Sequence, residues 1–126
     1  MEANKIIITG AATRIGAAIA KKLSGPGVEM VIHYNSSKSA AEKLQKELSK
    51  NKTKVYLVKG DLAKEQDLKK IIKFSKLKLK YFDCLINNAS LFENDSLKNF
   101  SSKSWNQHID VNLKAPAYLT KEFSKN

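Results

Sequence analysis

Apolar positions along the chain fall into two alternating periods. Lys5–Thr9 is a short β-branched run ending in Gly10, the pattern of a strand buried on both faces. Ile15, Ile19 and Leu23 then recur at spacings of four among alanines. That spacing predicts a helix with an apolar stripe, stopped by Gly25-Pro26-Gly27. The alternation continues with a strand over Val28–Tyr34 and a helix capped by Ser36 or Ser37, striped by Ala41, Leu44 and Leu48. A third strand covers Lys54–Val58, and the turn Lys59-Gly60-Asp61 leads to a helix from Lys64 to Ser75 with Leu68, Ile71 and Ile72 facing inward. Phe82–Asn87 is the fourth strand. After a polar loop, Ser101 or Ser102 caps a fourth helix through Trp105, Ile109 and Leu113, which Pro116 is expected to kink.

The order is therefore β-α-β-α-β-α-β-α. Strands separated by helices must run parallel, because each helix returns the chain to the same edge. The predicted fold class is α/β, a doubly wound parallel sheet of the Rossmann type, in one domain over residues 1–126. No internal repeat, low-complexity segment or linker interrupts it. Ser90–Ser104 is the longest stretch without periodicity, and a loop of that length in a compact domain is functional or mobile.

Composition narrows the classes. With 42% apolar and 28% charged residues the chain is too apolar to be disordered. No apolar run approaches the roughly 18–20 residues of a membrane span. The start, Met1 to Lys5, lacks the segments of a secretion signal, and the single cysteine, Cys84, excludes an intrachain disulfide. A cytoplasmic setting is the default expectation. Cys84 reads as a small core residue rather than a nucleophile. His33 and His108 lack a metal or triad pattern and read as structural.

A net charge of +11 raises the question of nucleic acid. Yet Arg14 is the sole arginine among 23 basic residues, and a base or phosphate reader usually holds several for bidentate contacts. The lysines run from Lys5 to Lys125 without gathering in a patch. They read as a solvated surface, so neither a nucleic-acid nor a membrane partner is expected.

The most chemical stretch is Thr9-Gly10-Ala11-Ala12-Thr13-Arg14-Ile15-Gly16, between the first strand and the first helix. A tight turn at Gly10, the free N–H groups of the first helical turn and the helix dipole together suit a phosphate. Gly16 lets the helix pack closely on the strand. An ordinary strand–turn–helix connection is the plain alternative.

This loop resembles the T-G-x-x-x-G-x-G loop of the short-chain dehydrogenases/reductases. Arg14 stands where the middle glycine usually does, a variant similar to the pteridine reductase branch. Four more stretches agree in order: His33-Tyr34-Asn35-Ser36-Ser37, Gly60-Asp61-Leu62, Asn87-Asn88-Ala89-Ser90 and Asp110-Val111-Asn112-Leu113. The resemblance spans essentially the whole chain and implies a strand order of 3-2-1-4.

It also implies roles. Gly10, Thr13, Arg14, Ile15 and Gly16 would hold a dinucleotide's diphosphate. Tyr34, Asn35, Ser36 and Ser37 offer no carboxylate where NAD-binding relatives place one, which favours NADP(H). Asp61 and Leu62 would flank the adenine, although Asp61 also reads as a turn former. Asn88, Ala89 and Ser90 would line the ribose and nicotinamide. Asn112 matches the asparagine of the catalytic tetrad, whose carbonyl oxygen or adjoining backbone holds a water in the proton relay. Ser90 and Phe92 match residues that touch and stack on a flat pterin.

The implied activity is reduction of a small molecule by NADPH, a pterin or dihydrofolate-like ring first. The alternatives are a 3-oxoacyl thioester, or a non-catalytic nucleotide-binding fragment. The family's serine, tyrosine and lysine follow the fourth helix, so the chain is expected to be truncated before strand five. It would hold four strands of about seven and be inactive alone. Tyr34 to Lys38 spells Y-x-x-x-K, but at the end of strand two, far from the expected nicotinamide. A homo-oligomer, dimer or tetramer, is the implied assembly, with the fourth helix at its interface.

Overall fold

Four parallel strands pair in the order β3-β2-β1-β4 in a computed structural model that describes residues 3–125. Readings that fall on Met1, Glu2 and Asn126 lie outside the described residues. The strands are β1 (Lys5–Ile8), β2 (Glu29–Tyr34), β3 (Lys54–Lys59) and β4 (Cys84–Ile86). Between them run α1 (Arg14–Leu23), α2 (Lys38–Lys50) and α3 (Glu65–Leu79). After β4 come α4 (Ser102–Ile109), a π-helical turn (Asp110–Lys114) and α5 (Ala115–Phe123). The order of elements and the strand order are those expected.

β1 and β2 read as unbroken apolar runs because both of their faces are covered. Ile6, Ile7 and Ile8 lie beside Met30, Val31 and Ile32 on one side and Cys84, Leu85 and Ile86 on the other. The pleat sends alternate residues to opposite layers. Ile7 and Val31 join Leu68, Ile71 and Ile72 of α3 and Leu119 of α5, while Ile6, Ile8, Met30 and Ile32 join Ala20 of α1 and Leu44 and Leu48 of α2. Both layers are thus anchored on the same two strands, which fixes where the strand exits lie.

Two expected stripes are corrected. Ile15 is 72% exposed and Leu23 is also exposed; Ile19 alone of the three packs, partly buried, against the core, and Gly16 and Ala20 are the buried residues of α1. The helix presents its smallest side chains to the sheet, which brings its backbone close to β1. In α4 and the π-helical turn, Trp105 (58% exposed), Ile109 and Leu113 (63% exposed) face outward, and the fully buried residues come later, at Ala115 and Leu119 of α5. The stripes of α2 and α3 are buried as expected.

Boundaries moved in small ways. β4 is three residues rather than six, because Asn88 N–H turns back to the Ile86 carbonyl at 3.1 Å and ends the ladder. α3 runs on to Leu79, which is fully buried. Ser101 caps α4 through Ser104 N–H at 3.0 Å, but Ser37 stands at the start of α2 without a side-chain cap bond. The helix widens just before Pro116, where Ala115 N–H bonds the Asp110 carbonyl in π register.

Candidate functional site

All four strand exits open onto one cleft of about 600 Å³. It lies beyond the carboxyl ends of the strands, between β1 and its two neighbours, where the strand order switches direction. That volume is in the range of sites for cofactors and small ligands. Gly10, Thr13, Arg14, Ile15 and Gly16 form one wall. His33, Asn35, Asp61, Leu62 and Ala63 form a second, and Asn88, Ala89, Ser90 and Leu91 a third, with Glu93, Gln107 and Val111 at the side.

The first wall follows from its backbone. Gly10 has φ +60°, a left-handed turn that a side chain adopts only at a cost. A Cβ there would also lie 2.8 Å from the Ala89 Cα. The first helical bond of α1 is Ala17 N–H to the Thr13 carbonyl at 3.2 Å. The N–H groups of Arg14, Ile15 and Gly16 therefore have no intrahelical acceptor, and the positive end of the helix dipole sits on the cleft. Arg14 itself is left-handed, with φ +53°, and has no ion-pair partner among the described residues.

Side chains tie the walls together. Thr9 Oγ1 accepts from Asn88 N–H at 3.1 Å and Ala89 N–H at 3.0 Å. Asn88 Nδ2 donates to the carbonyls of Thr9 and Gly10, each at 3.0 Å. Asp61 Oδ1 accepts from Ala63 N–H at 2.9 Å, the turn-forming role open to an aspartate there. His33 accepts from Gly10 N–H at 3.0 Å, and burial holds its pKa below the ordinary value. Burial likewise pushes the Cys84 thiol up, away from nucleophilic character.

Asn112 is turned toward the loop after β4. Its Oδ1 accepts from Leu91 N–H at 2.7 Å and its Nδ2 donates to the Leu91 carbonyl at 2.8 Å. The side chain is therefore committed. The backbone carbonyl differs, because its α-helical donor four residues on is Pro116, which has no N–H.

The cleft gathers most of the predicted site residues, but not all. Tyr34 is buried against Ala12 and Ala41 and does not line it, so Tyr34 and Lys38 form no pair there. Ser36 and Ser37 are exposed at the entry to α2, beside Asn35. Phe92 is 84% exposed outside the lining. Gln107 and Val111 were not foreseen; they reach the cleft because α4 and the π-helical turn stand beside the loop after β4, which no local pattern reveals.

A Rossmann-type half-sheet with a glycine-bearing strand–helix turn at its switch point is the class that fold and cleft define. The family model for short chain dehydrogenase matches residues 4–126, and the chain belongs to that family. It is 30% identical over 125 residues to a 3-oxoacyl-[acyl-carrier-protein] reductase of Synechocystis, covering 99% of this chain and 51% of that one. Among solved structures, a short-chain dehydrogenase of Burkholderia cenocepacia in complex with NADP superposes with a TM-score of 0.92 at 23% identity, over 98% of this chain and 50% of that chain. The FolM alternative dihydrofolate reductase of Brucella canis, complexed with NADP, gives 0.86 at 30% identity, over 95% and 48%. The chain spans about half the length of the curated relatives it matches.

Proposed function

We propose that this chain forms the NADPH-binding half of a short-chain reductase whose substrate is a pterin or dihydrofolate-like ring. The observation that carries the reading is the cradle: left-handed Gly10, close-packed Gly16 and the N–H groups of Arg14, Ile15 and Gly16, which have no intrahelical acceptor, on one wall of the cleft. A nicotinamide cofactor, when bound, supplies the hydride. The chain's own residues bind and orient. The first turn of α1 faces the diphosphate, Asp61 and Leu62 the adenine, and Asn88, Ala89 and Ser90 the ribose and nicotinamide.

The preference for a 2′-phosphate rests on what surrounds the exit of β2. Asn35, Ser36 and Ser37 offer amide and hydroxyl donors and no carboxylate, and Arg14 has no ion-pair partner among the described residues. Asn112 matches the family's relay asparagine; its side chain is bonded to Leu91, so its backbone carbonyl is the group assigned to hold a relay water. Turnover needs the serine, tyrosine and lysine that the family carries beyond this stretch.

Arg14 and Ser90 match the pteridine reductase pattern and both line the cleft, and the 30% identity to the dihydrofolate reductase structure agrees. A 3-oxoacyl thioester is the second reading, favoured by an equal identity to the Synechocystis enzyme. Fluorescence titration of the chain with NADPH and NADH tests the cofactor. NADPH is expected to bind at least roughly tenfold tighter, the worth of one good charge-assisted contact. Equal affinity, or tighter NADH, defeats the assignment. On a chain that also carries the family's serine, tyrosine and lysine, turnover of dihydrobiopterin or dihydrofolate ahead of acetoacetyl thioester supports the pterin, and the reverse order selects the second reading.

A further inference from the structure

We infer that His33 is a positioning residue, whose neutral imidazole holds the loop at Gly10 in the shape that receives a nucleotide and thereby makes nucleotide affinity fall in acid. The inference rests on the reading of the cleft as a nucleotide site. His33 lies on β2 and is 2% exposed. Its Nδ1 accepts from Gly10 N–H at 3.0 Å, and its Nε2 lies 2.8 Å from the Gly60 carbonyl oxygen.

Both partners are backbone groups of fixed polarity. An amide N–H can only donate, so Nδ1 must be bare. A carbonyl can only accept, so Nε2 must carry the hydrogen. The ring is thus confined to one tautomer of its neutral form. It spans from the exit of β1 to the exit of β3, joining the turn at Gly10 to the turn that carries Asp61 and Leu62. The His33 carbonyl adds a second hold on the same loop, accepting from Ala11 N–H at 3.1 Å.

A proton on Nδ1 would set N–H against N–H and leave the Gly10 amide without its acceptor. The turn, or the ring, must then move. Burial disfavours that proton and is the largest influence on the ring, lowering its pKa below 6.5; the Gly60 hydrogen bond opposes it. Lys70 and Asp67 of α3 and Asp61 at the exit of β3 also face the ring, the lysine lowering the value and the two acids raising it. The sign is clear. Neutral His33 prevails above pH 6.5, so affinity is level there and falls as the pH drops through the lowered value.

The test compares the wild-type chain with His33→Gln and His33→Phe. A glutamine amide can accept from Gly10 and donate to Gly60 but does not titrate, whereas phenylalanine offers no acceptor. At about pH 8, H33Q is expected to bind NADPH within about threefold of wild type and H33F at least roughly tenfold more weakly, the effect of one unpaired buried amide. The acid fall in affinity beyond that of H33Q, which carries the titration of the ligand itself, should belong to wild type alone. The Gly10 amide resonance of the free protein should shift as His33 titrates. Superimposable pH profiles for wild type and H33Q, or a Gly10 amide indifferent to His33, overturn the inference. A Gly10 amide that follows His33 in a chain that binds no NADPH at any pH upholds the loop coupling and defeats the nucleotide reading instead.

Discussion

Gly16 has no room for a methyl group. A Cβ there would lie 2.5 Å from Asn88 Nδ2, 2.6 Å from the Gly10 carbonyl oxygen and 2.7 Å from the Ala11 Cα. Two of those neighbours are backbone atoms of the cradle itself, so Gly16→Ala must push α1 away from the loop it helps to shape. Gly25 is the natural control, since nothing lies within 4 Å of a Cβ built on it. Urea denaturation is expected to show a loss of about 1–3 kcal/mol for Gly16→Ala, the usual cost of overpacking. Gly25→Ala should stay within about 0.5 kcal/mol of wild type. Matching midpoints for the two variants would refute the close approach. Gly16 was legible as a packing glycine from its place in the loop. Its neighbour Asn88 was legible only as a site residue, because the bonds it makes to Thr9 and Gly10 join segments far apart in the chain.

Between β4 and α4 the chain is held by side chains rather than by a ladder. Asn112 pairs with both backbone groups of Leu91, and His108 Nε2 accepts from Glu93 N–H at 3.0 Å. His108 Nδ1 lies 2.7 Å from the Ser104 carbonyl and Ser104 Oγ donates to Asp95 at 3.0 Å, so each pin is itself held. Asn112→Ala and His108→Phe should each loosen the loop. Hydrogen exchange at the Leu91 and Glu93 amides, respectively, is expected to speed up roughly five- to tenfold, about 1 kcal/mol per lost bond. Unchanged exchange would mean that the loop is held by something else. These pins explain why this region was the least legible. The strands and the stripes of α2 and α3 are written in large aliphatic residues, whose spacing declares the buried face. α1 buries glycine and alanine, which a hydropathy pattern undervalues. The π-helical turn sits where Asn112 reaches across to Leu91 and Pro116 withholds a donor, and only the second of those is a local signal.

On the scale of the molecule, the outward stripe of α4 and the π-helical turn is the feature that a lone chain does not explain. Trp105, Ile109 and Leu113 repeat at spacings of four on a face that packs against no core cluster. Phe100 extends it, its ring 5.9 Å from that of Trp105. Large apolar side chains gathered in this way on a surface mark contact with another molecule, and a helix face that meets its own copy across a two-fold axis buries each residue twice. The β4 edge is a rival surface, since it has no strand on its far side among the described residues. Trp105 is the sole tryptophan and can decide between them. If copies associate through α4, its emission moves to the blue as concentration rises, in step with a rise in sedimenting mass. Trp105→Phe removes that probe but keeps the apolar contact, while Leu113→Ser and Ile109→Ser together should return the chain to a monomer. Association with Trp105 still in water would place the contact at the β4 edge, and a monomer at every concentration would deny the stripe a partner of its own kind.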